Sequence, residues 1–258
     1  MIPKIIHYTW FSGEPFPVKI QECIDSWHKY MPEYEYICWD AERLKEIDSI
    51  WVTEALQEQK WAVAADYVRL YAVHKYGGIY LDTDCMIYKS FNPLLSEKSF
   101  IGKESSIHLE GRRTEMHLTS HCFGAEKGDF FVARCLDYYK DRHFNTSDDV
   151  TLPYQLRHGI TMLPFIQSEL AKQHGYDPFP SADIEQHLDC GVTIFPSCFF
   201  DFVKVTPYSY CQHMALGSWR DTKMTTDTIC WQYKIRWRME AVARWIANFF
   251  GYMLVKKL

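Results

Sequence analysis

The stretch Tyr76-Gly77-Gly78-Ile79-Tyr80-Leu81-Asp82-Thr83-Asp84 constrains this chain more than any other. The segment before it, residues 60–76, is helix-patterned, with Trp61, Ala65, Val68, Leu70, Ala72 and Val73 as apolar surface. Gly77-Gly78 ends that helix, because glycine adopts the left-handed C-terminal conformation without steric cost. Ile79 to Leu81 then reads as a short buried strand that runs into Asp82 and Asp84. On a strict strand, residues i and i+2 share a face, so both carboxylates can meet one cation, directly or with one through water. Such hard oxygen donors suit Mg²⁺ or Mn²⁺, which keep positions open for a substrate phosphate. The alternative is an ordinary Asp-containing turn.

The rest of the chain supports an α/β architecture. Residues 2–10 read as a buried strand, residues 18–31 as a helix with Ile20, Cys23, Ile24, Trp27 and Met31 at helical spacing, and Tyr34 to Trp39 as a second strand. Strand, helix, strand opens a βαβ unit with parallel strands. Residues 85–88 continue extended, and Asn92-Pro93 marks a turn. Residues 98–125 are β-rich, 124–128 a loop, 129–142 a helix, 152–174 a helix interrupted by Pro164, and Val192 to Phe195 the last strand. Asp148 and Asp149 fit a loop and helix cap.

A chain of 258 residues, 47% hydrophobic and 16% aromatic, can bury a large core and is not disordered. A net charge of −5 gives no general attraction to nucleic acid. No basic segment followed by a long apolar run opens the sequence, so a cytoplasmic location with reduced thiols is expected for its nine Cys. Two regions are expected: a catalytic domain over 1–228 and a basic appendage over 229–258. In the appendage Lys234, Arg236, Arg238, Arg244, Lys256 and Lys257 stand against one acid, Glu240. A helix there would be basic on one side and would show Met239, Val242, Ile246, Phe249, Phe250 and Met253 on the other. That pattern fits peripheral membrane contact through 231–258, on the inner face, and equally a helix docked on the core.

Further polar residues stand out. Asp66 and Arg69 are three apart, hence on one face of an otherwise apolar helix. They fit either a surface ion pair or a site for ribose, carboxylate or phosphate. His213, Ser218 and Trp219 occur late, and a lone His is more often structural than a ligand. If His213 joined Asp82 and Asp84, the mixed donor set would favour Mn²⁺ over Mg²⁺. Trp10 fits a core aromatic or a stacking platform. Lys127 fits a solvated loop or the acceptor side.

Four blocks together resemble glycosyltransferase family 32: Ile5 to Gly13, Ala65-Asp66-Tyr67-Val68-Arg69, Tyr76 to Asp84, and His213 to Trp219. This family of DXD-containing sugar transferases includes capsular-polysaccharide enzymes and α-mannosyltransferases, and is distantly similar to the catalytic domains of large clostridial glucosylating toxins. The resemblance covers roughly residues 2–220 and is loose over 105–190. It implies a GT-A fold, a UDP- or GDP-sugar donor, a divalent metal (Mn²⁺ or Mg²⁺) and retention of anomeric configuration. It also implies roles. Trp10 would stack on the base, and Asp66 and Arg69 would hold ribose and sugar. Asp82 would contact the donor as well as the metal, Asp84 would ligate the metal, and His213 would be a further ligand or a diphosphate contact. Ser218 and Trp219 would touch the diphosphate from a closing loop. The expected enzyme transfers a hexose or N-acetylhexosamine to a glycan or lipid-linked glycan in surface polysaccharide synthesis. Two other classes remain open: a phosphohydrolase with Asp82 as nucleophile, and a non-catalytic nucleotide-sugar-binding module.

Overall fold

The opening alternation of strand and helix builds one edge of the main sheet. In a computed structural model, which describes residues 1–110, 113–148, 158–159, 161–201 and 205–216, strand β1 (Ile5–Thr9), helix α1 (Val18–Tyr30) and strand β2 (Glu35–Trp39) form the first unit. Helices α2 (Ile50–Gln57) and α3 (Trp61–Tyr76) then lead to β3 (Gly78–Leu81). β1 runs parallel to both neighbours, with Ile6 opposite Tyr36 on one side and Ile79 on the other. β4 (Cys85–Ile87) leaves the sheet, and β5 (Ser99–Lys103), β6 (His108–Glu110), β7 (Arg113–Glu115) and β8 (Leu118–Ala125) follow. The remaining elements are α4 (Phe130–Asp137), α5 (Leu163–Lys172), β9 (Gln186–His187), β10 (Val192–Phe195), a helical turn Ser197–Phe200 and β11 (Cys211–His213).

The seven-stranded order is β2-β1-β3-β8-β5-β10-β9. The α/β class holds, but the sheet is mixed rather than parallel throughout. β8 is antiparallel to both β3 and β5, because the chain returns from β5 through the β6–β7 hairpin without a crossover helix. Apolar side chains cover both faces. On one, α2, α3, α4 and α5 pack on Tyr80, Ile101, Phe123 and Ile194. On the other, α1, the β4–β11 pair and the turn at 197–200 pack on Ile6, Ile79, Leu81 and Phe100.

The helix-to-strand junction differs in detail from a left-handed cap. Gly77 has φ 71° and ψ −179°, a combination essentially confined to glycine. A Cβ on Gly78, at φ 107°, would meet the Ile5 carbonyl oxygen at 2.6 Å. The junction is fixed by His7, whose Nε2 donates to the Gly77 carbonyl at 2.9 Å while Nδ1 accepts from Trp39 Nε1 at 3.2 Å. Burial pushes the His7 imidazole down to about 4, so it is neutral, as this pairing requires. Gly78→Ala is expected to cost about 2–4 kcal/mol through positive-φ strain and backbone collision, read as a lowered urea midpoint.

Other expectations are corrected. Gly124 and Ala125 belong to β8, and the loop is the turn after them. Lys127 is exposed there, beside Gly77 at the start of β3; Asp82 follows the other end of that strand, so Lys127 is not on the cleft side. Asp129 caps α4 by accepting from Val132 N at 3.0 Å, and that helix stops at Asp137. Pro164 sits in the first turn of α5 rather than interrupting a helix, where a missing N–H is harmless. β10 is not last, since β11 pairs antiparallel with β4. Asp148 is in irregular structure, while Asp149, Ser218, Trp219 and the 229–258 appendage lie outside the described residues.

Candidate active site

Parallel strands present their C-terminal ends to ligands in open α/β sheets. At those ends of β1 and β3 lies a cleft of about 370 Å³, lined among others by Thr9, Trp10, Trp61, Arg69, Asp82, Asp84 and His213. Its floor comes from α3. That helix has buried residues around most of its circumference, Asp66 and Arg69 included, because it lies between the sheet and α2 and α4. The Asp66/Arg69 pair is therefore an interior ion pair, not a surface one.

Arg69 organises the floor. Its Nη2 lies 3.3 Å from Asp66 Oδ1 and 3.4 Å from Asp82 Oδ1. Its Nη1 donates to the Ser120 carbonyl at 2.7 Å and to Ser120 Oγ at 3.1 Å, and its Nε donates to the Ala65 carbonyl at 3.2 Å. The guanidinium also lies 4.7 Å from the Tyr80 ring centroid. Burial opposes its charge, but the surrounding carboxylates win and raise its pKa further. Asp66 sits deeper than the sequence implied. It accepts from Leu163 N at 3.3 Å and does not line the cleft. Burial outweighs Arg69 and lifts its carboxyl to about 6.

Strand β3 ends at Leu81, so Asp82 and Asp84 do not share a strand face. Asp82 and Cys85 close a turn, Cys85 N donating to the Asp82 carbonyl at 3.0 Å, and the turn brings both carboxylates to one side. Asp82 Oδ1 accepts from Tyr80 Oη at 2.9 Å, and Tyr80 Oη lies 3.1 Å from Thr9 Oγ1. Asp84 Oδ2 accepts from Leu216 N at 2.9 Å, its carbonyl accepts from Met214 N at 2.9 Å, and its Oδ1 lies 3.2 Å from His213 Nε2. Burial alone would raise Asp84 and lower His213. Their mutual attraction prevails, taking Asp84 down to about 2 and His213 up to about 9. An imidazolium thus neutralises Asp84 at neutral pH.

Asp82, Asp84 and His213 each offer a donor atom within 4.8 Å of the others. Two carboxylates and one imidazole facing a cleft fit a divalent cation. Trp10 stands at the cleft edge, its Nε1 donating to the Glu14 carbonyl at 2.7 Å and its ring edge-on to Phe16 at 4.9 Å. Sequence reasoning missed Tyr80, Ser120 and Trp61. Tyr80 was signalled by its i−2 position to Asp82 on β3. Trp61 is 44% exposed and two helical turns before Arg69. Ser120 carried no signal, as it reaches Arg69 only through β8.

This fold and this site define a class: residues 17–101 match the family model for the glycosyltransferase sugar-binding region containing the DXD motif. Two of the four sequence blocks, those carrying Asp66, Arg69, Asp82 and Asp84, fall inside the matched residues, and the first and last blocks lie outside them. Among individual proteins, the chain is 36% identical over 112 residues to inositol phosphoceramide mannosyltransferase 3 of Schizosaccharomyces pombe, covering 40% of this chain and 30% of that protein. It is 31% identical over 114 residues to mannosyl phosphorylinositol ceramide synthase SUR1 of Saccharomyces cerevisiae, covering 42% of this chain and 29% of that protein. The matched parts are thus less than a third of those relatives' length. Among solved structures, PaToxG glycosyltransferase is similar at a TM-score of 0.45 and 19% identity, covering 67% of this chain and 69% of that one.

Proposed function

We propose that this protein is a metal-dependent, retaining glycosyltransferase that moves a hexosyl group from a nucleotide sugar to a glycan or glycolipid acceptor. The carrying observation is convergence: Arg69 joins Asp66 to Asp82 in the cleft floor, and Asp84 joins His213 in its wall. The relatives are named for mannosyl transfer to inositol phosphoceramide. A GDP- or UDP-hexose donor and an inositol-phosphate glycolipid acceptor are therefore tested first, with a surface-polysaccharide acceptor beside them.

Each residue has a task. Trp10, held through its indole N–H, offers a ring face at the cleft edge for the base. Arg69 is locked by five polar partners, so its charge reaches the sugar end of the donor without reorganising. Asp82 engages Arg69 and Tyr80 through Oδ1, which leaves Oδ2 for a donor hydroxyl or a cation. Mn²⁺ or Mg²⁺ held by Asp84, His213 and Asp82 would supply charge stabilisation for the departing diphosphate. Ser218 and Trp219 would contribute donors from the C-terminal side. Retention is assigned to same-face attack, with the leaving phosphate accepting the acceptor's proton.

The phosphohydrolase reading fits less well, because it leaves the buried Asp66–Arg69 pair without a role. A binding module without turnover would have no need of a cation at the leaving group. Incubation with Mn²⁺ and a panel of nucleotide sugars tests the reading. Nucleoside diphosphate plus free sugar is expected, and an NMR assignment of the product anomer tests retention.

Metal affinity should depend on pH with a definite sign. His213 holds a proton up to about pH 9 in the metal-free protein, and ligation must displace it. Apparent Mn²⁺ affinity should thus rise about tenfold per pH unit below 9 and level off above it. His213→Ala should flatten that slope; an unchanged slope in calorimetric titrations would remove His213 from the ligand set.

A peripheral cytoplasmic site at the membrane is part of the same proposal, resting on the basic, aromatic 229–258 sequence. Deleting 231–258 should reduce sedimentation with anionic liposomes, and equal sedimentation would leave the docked-helix reading. No helix among the described residues is long and apolar enough to cross a membrane.

A further inference from the structure

Behind the carboxylate and imidazole donors of the cleft lies a second set that glycosyl transfer does not use. Cys85 follows Asp84 at the start of β4, Cys211 precedes His213 by two residues on β11, and His121 projects from β8. Both cysteines are 0% exposed and His121 is 5% exposed. The two sulfurs and a ring nitrogen of His121 lie within 4.8 Å of one another. Cys122, also 0% exposed, has its thiol beside that of Cys211. Two thiols and one imidazole therefore gather from three elements, with a third thiol beside them.

We propose that Cys85, Cys211 and His121 form a buried structural zinc site directly beneath the cleft, with Cys122 turning in from the next position of β8 as the fourth donor. Sulfur and imidazole donors select Zn²⁺ over Mg²⁺ or Mn²⁺, and a four-donor set closed to solvent is the structural rather than the catalytic type. Small buried cysteines alone would be ordinary core packing. The imidazole argues otherwise, because a buried ring costs desolvation that an aliphatic side chain would not. The Phe200 carbonyl lies 3.1 Å from His121 Nε2 and also accepts from Cys211 Sγ at 3.6 Å, so protein polar groups already orient the set. Each ligating thiol would release its proton to solvent as the metal–sulfur bond forms.

The site would have a positioning role. β11 is three residues long and, among the described residues, pairs only with β4, outside the main sheet. It nevertheless carries His213, whose ring stacks on His121 at 4.5 Å and 17°. A metal bonded to β4, β8 and β11 would fix Asp84 and His213 relative to each other, compensating for that short ladder. The argument rests on the donor set and not on the transferase reading.

The test separates this site from the cleft by its sulfur. Protein produced in zinc-depleted, cobalt-supplemented medium and dialysed against EDTA should keep one equivalent of Co²⁺ per chain. It should also show a near-ultraviolet sulfur-to-cobalt charge-transfer band. The cleft donors contain no sulfur, so Asp84→Ala should keep the band, whereas the double variant Cys85→Ala/Cys211→Ala should lose it. Ordinary preparations dialysed the same way should retain one equivalent of zinc. Folded wild-type protein with neither retained metal nor the band would overturn the proposal and leave the thiols as core packing. The wild-type readouts decide this even where the variants fail to fold, and loss of glycosyl transfer alone changes neither of them.

Discussion

Arg69→Ala is expected to lose about 3–5 kcal/mol of stability and all measurable donor turnover. The first effect follows from burial. Removing one member of a buried ion pair leaves its partner's charge uncompensated, which costs about that much. Here two carboxylates lose their shared partner, since Nη2 lies within 3.4 Å of both Asp66 and Asp82, and the carbonyls of Ser120 and Ala65 lose donors too. The sign with pH is definite. Burial already raises Asp66 to about 6 from an ordinary 3.8, so the folded state binds its proton more tightly than the unfolded chain does. Stability from this group therefore falls as pH rises from about 4 to 6. Without Arg69 the folded value climbs higher, and the deficit should widen between pH 6 and 8. Urea denaturation at several pH values checks this. Asp66→Asn combined with Arg69→Met should lose less than the sum of the single changes, because the pair is removed together. A pH-independent, surface-sized loss of under ~0.5 kcal/mol would contradict the buried triad.

Asp84→Asn is expected to lower donor turnover about 10³-fold, the scale set by the several kcal/mol of charge stabilisation a bound cation supplies. Its structural effect should be small by comparison. An asparagine keeps the shape and an oxygen for Leu216 N, which now donates to Asp84 Oδ2 at 2.9 Å. The electrostatic effect is the diagnostic one. His213 is held near 9 against burial chiefly by Asp84. In the metal-free variant its imidazole should titrate several units lower, visible in NMR of the ring protons. An unshifted His213 would mean that the Asp84–His213 pair is not what sets the charge of the cleft wall. A near-normal turnover would remove Asp84 as the principal cation ligand.

The parts legible in the sequence are those fixed by local rules. Helical spacing through residues 61–76, the glycine pair and the apolar run after it placed α3, β3 and the Asp82–Asp84 turn within a residue or two. The alternation of β1, α1 and β2 was readable for the same reason. What was not legible depends on distant partners. β11 is three residues, Cys-Gln-His, and becomes a strand only by pairing with β4. β8 runs antiparallel because of how β5 returns, which no local pattern encodes. The depth of Asp66 reflects α4 and α5 closing over α3, whereas an i,i+3 spacing is the same on a surface or in a core. Tyr80 read as a buried strand residue and proved also to be a hydrogen-bond partner of Asp82.

The central claim is that the floor and wall of this cleft form one metal-assisted donor site. The most direct measurement is release of nucleoside diphosphate from GDP- and UDP-hexoses by the purified protein, with Mn²⁺ and with EDTA. The account predicts slow donor hydrolysis that requires the cation and disappears in Asp84→Asn. Release of inorganic phosphate from simple phosphomonoesters, with no turnover of any nucleotide sugar, would contradict it.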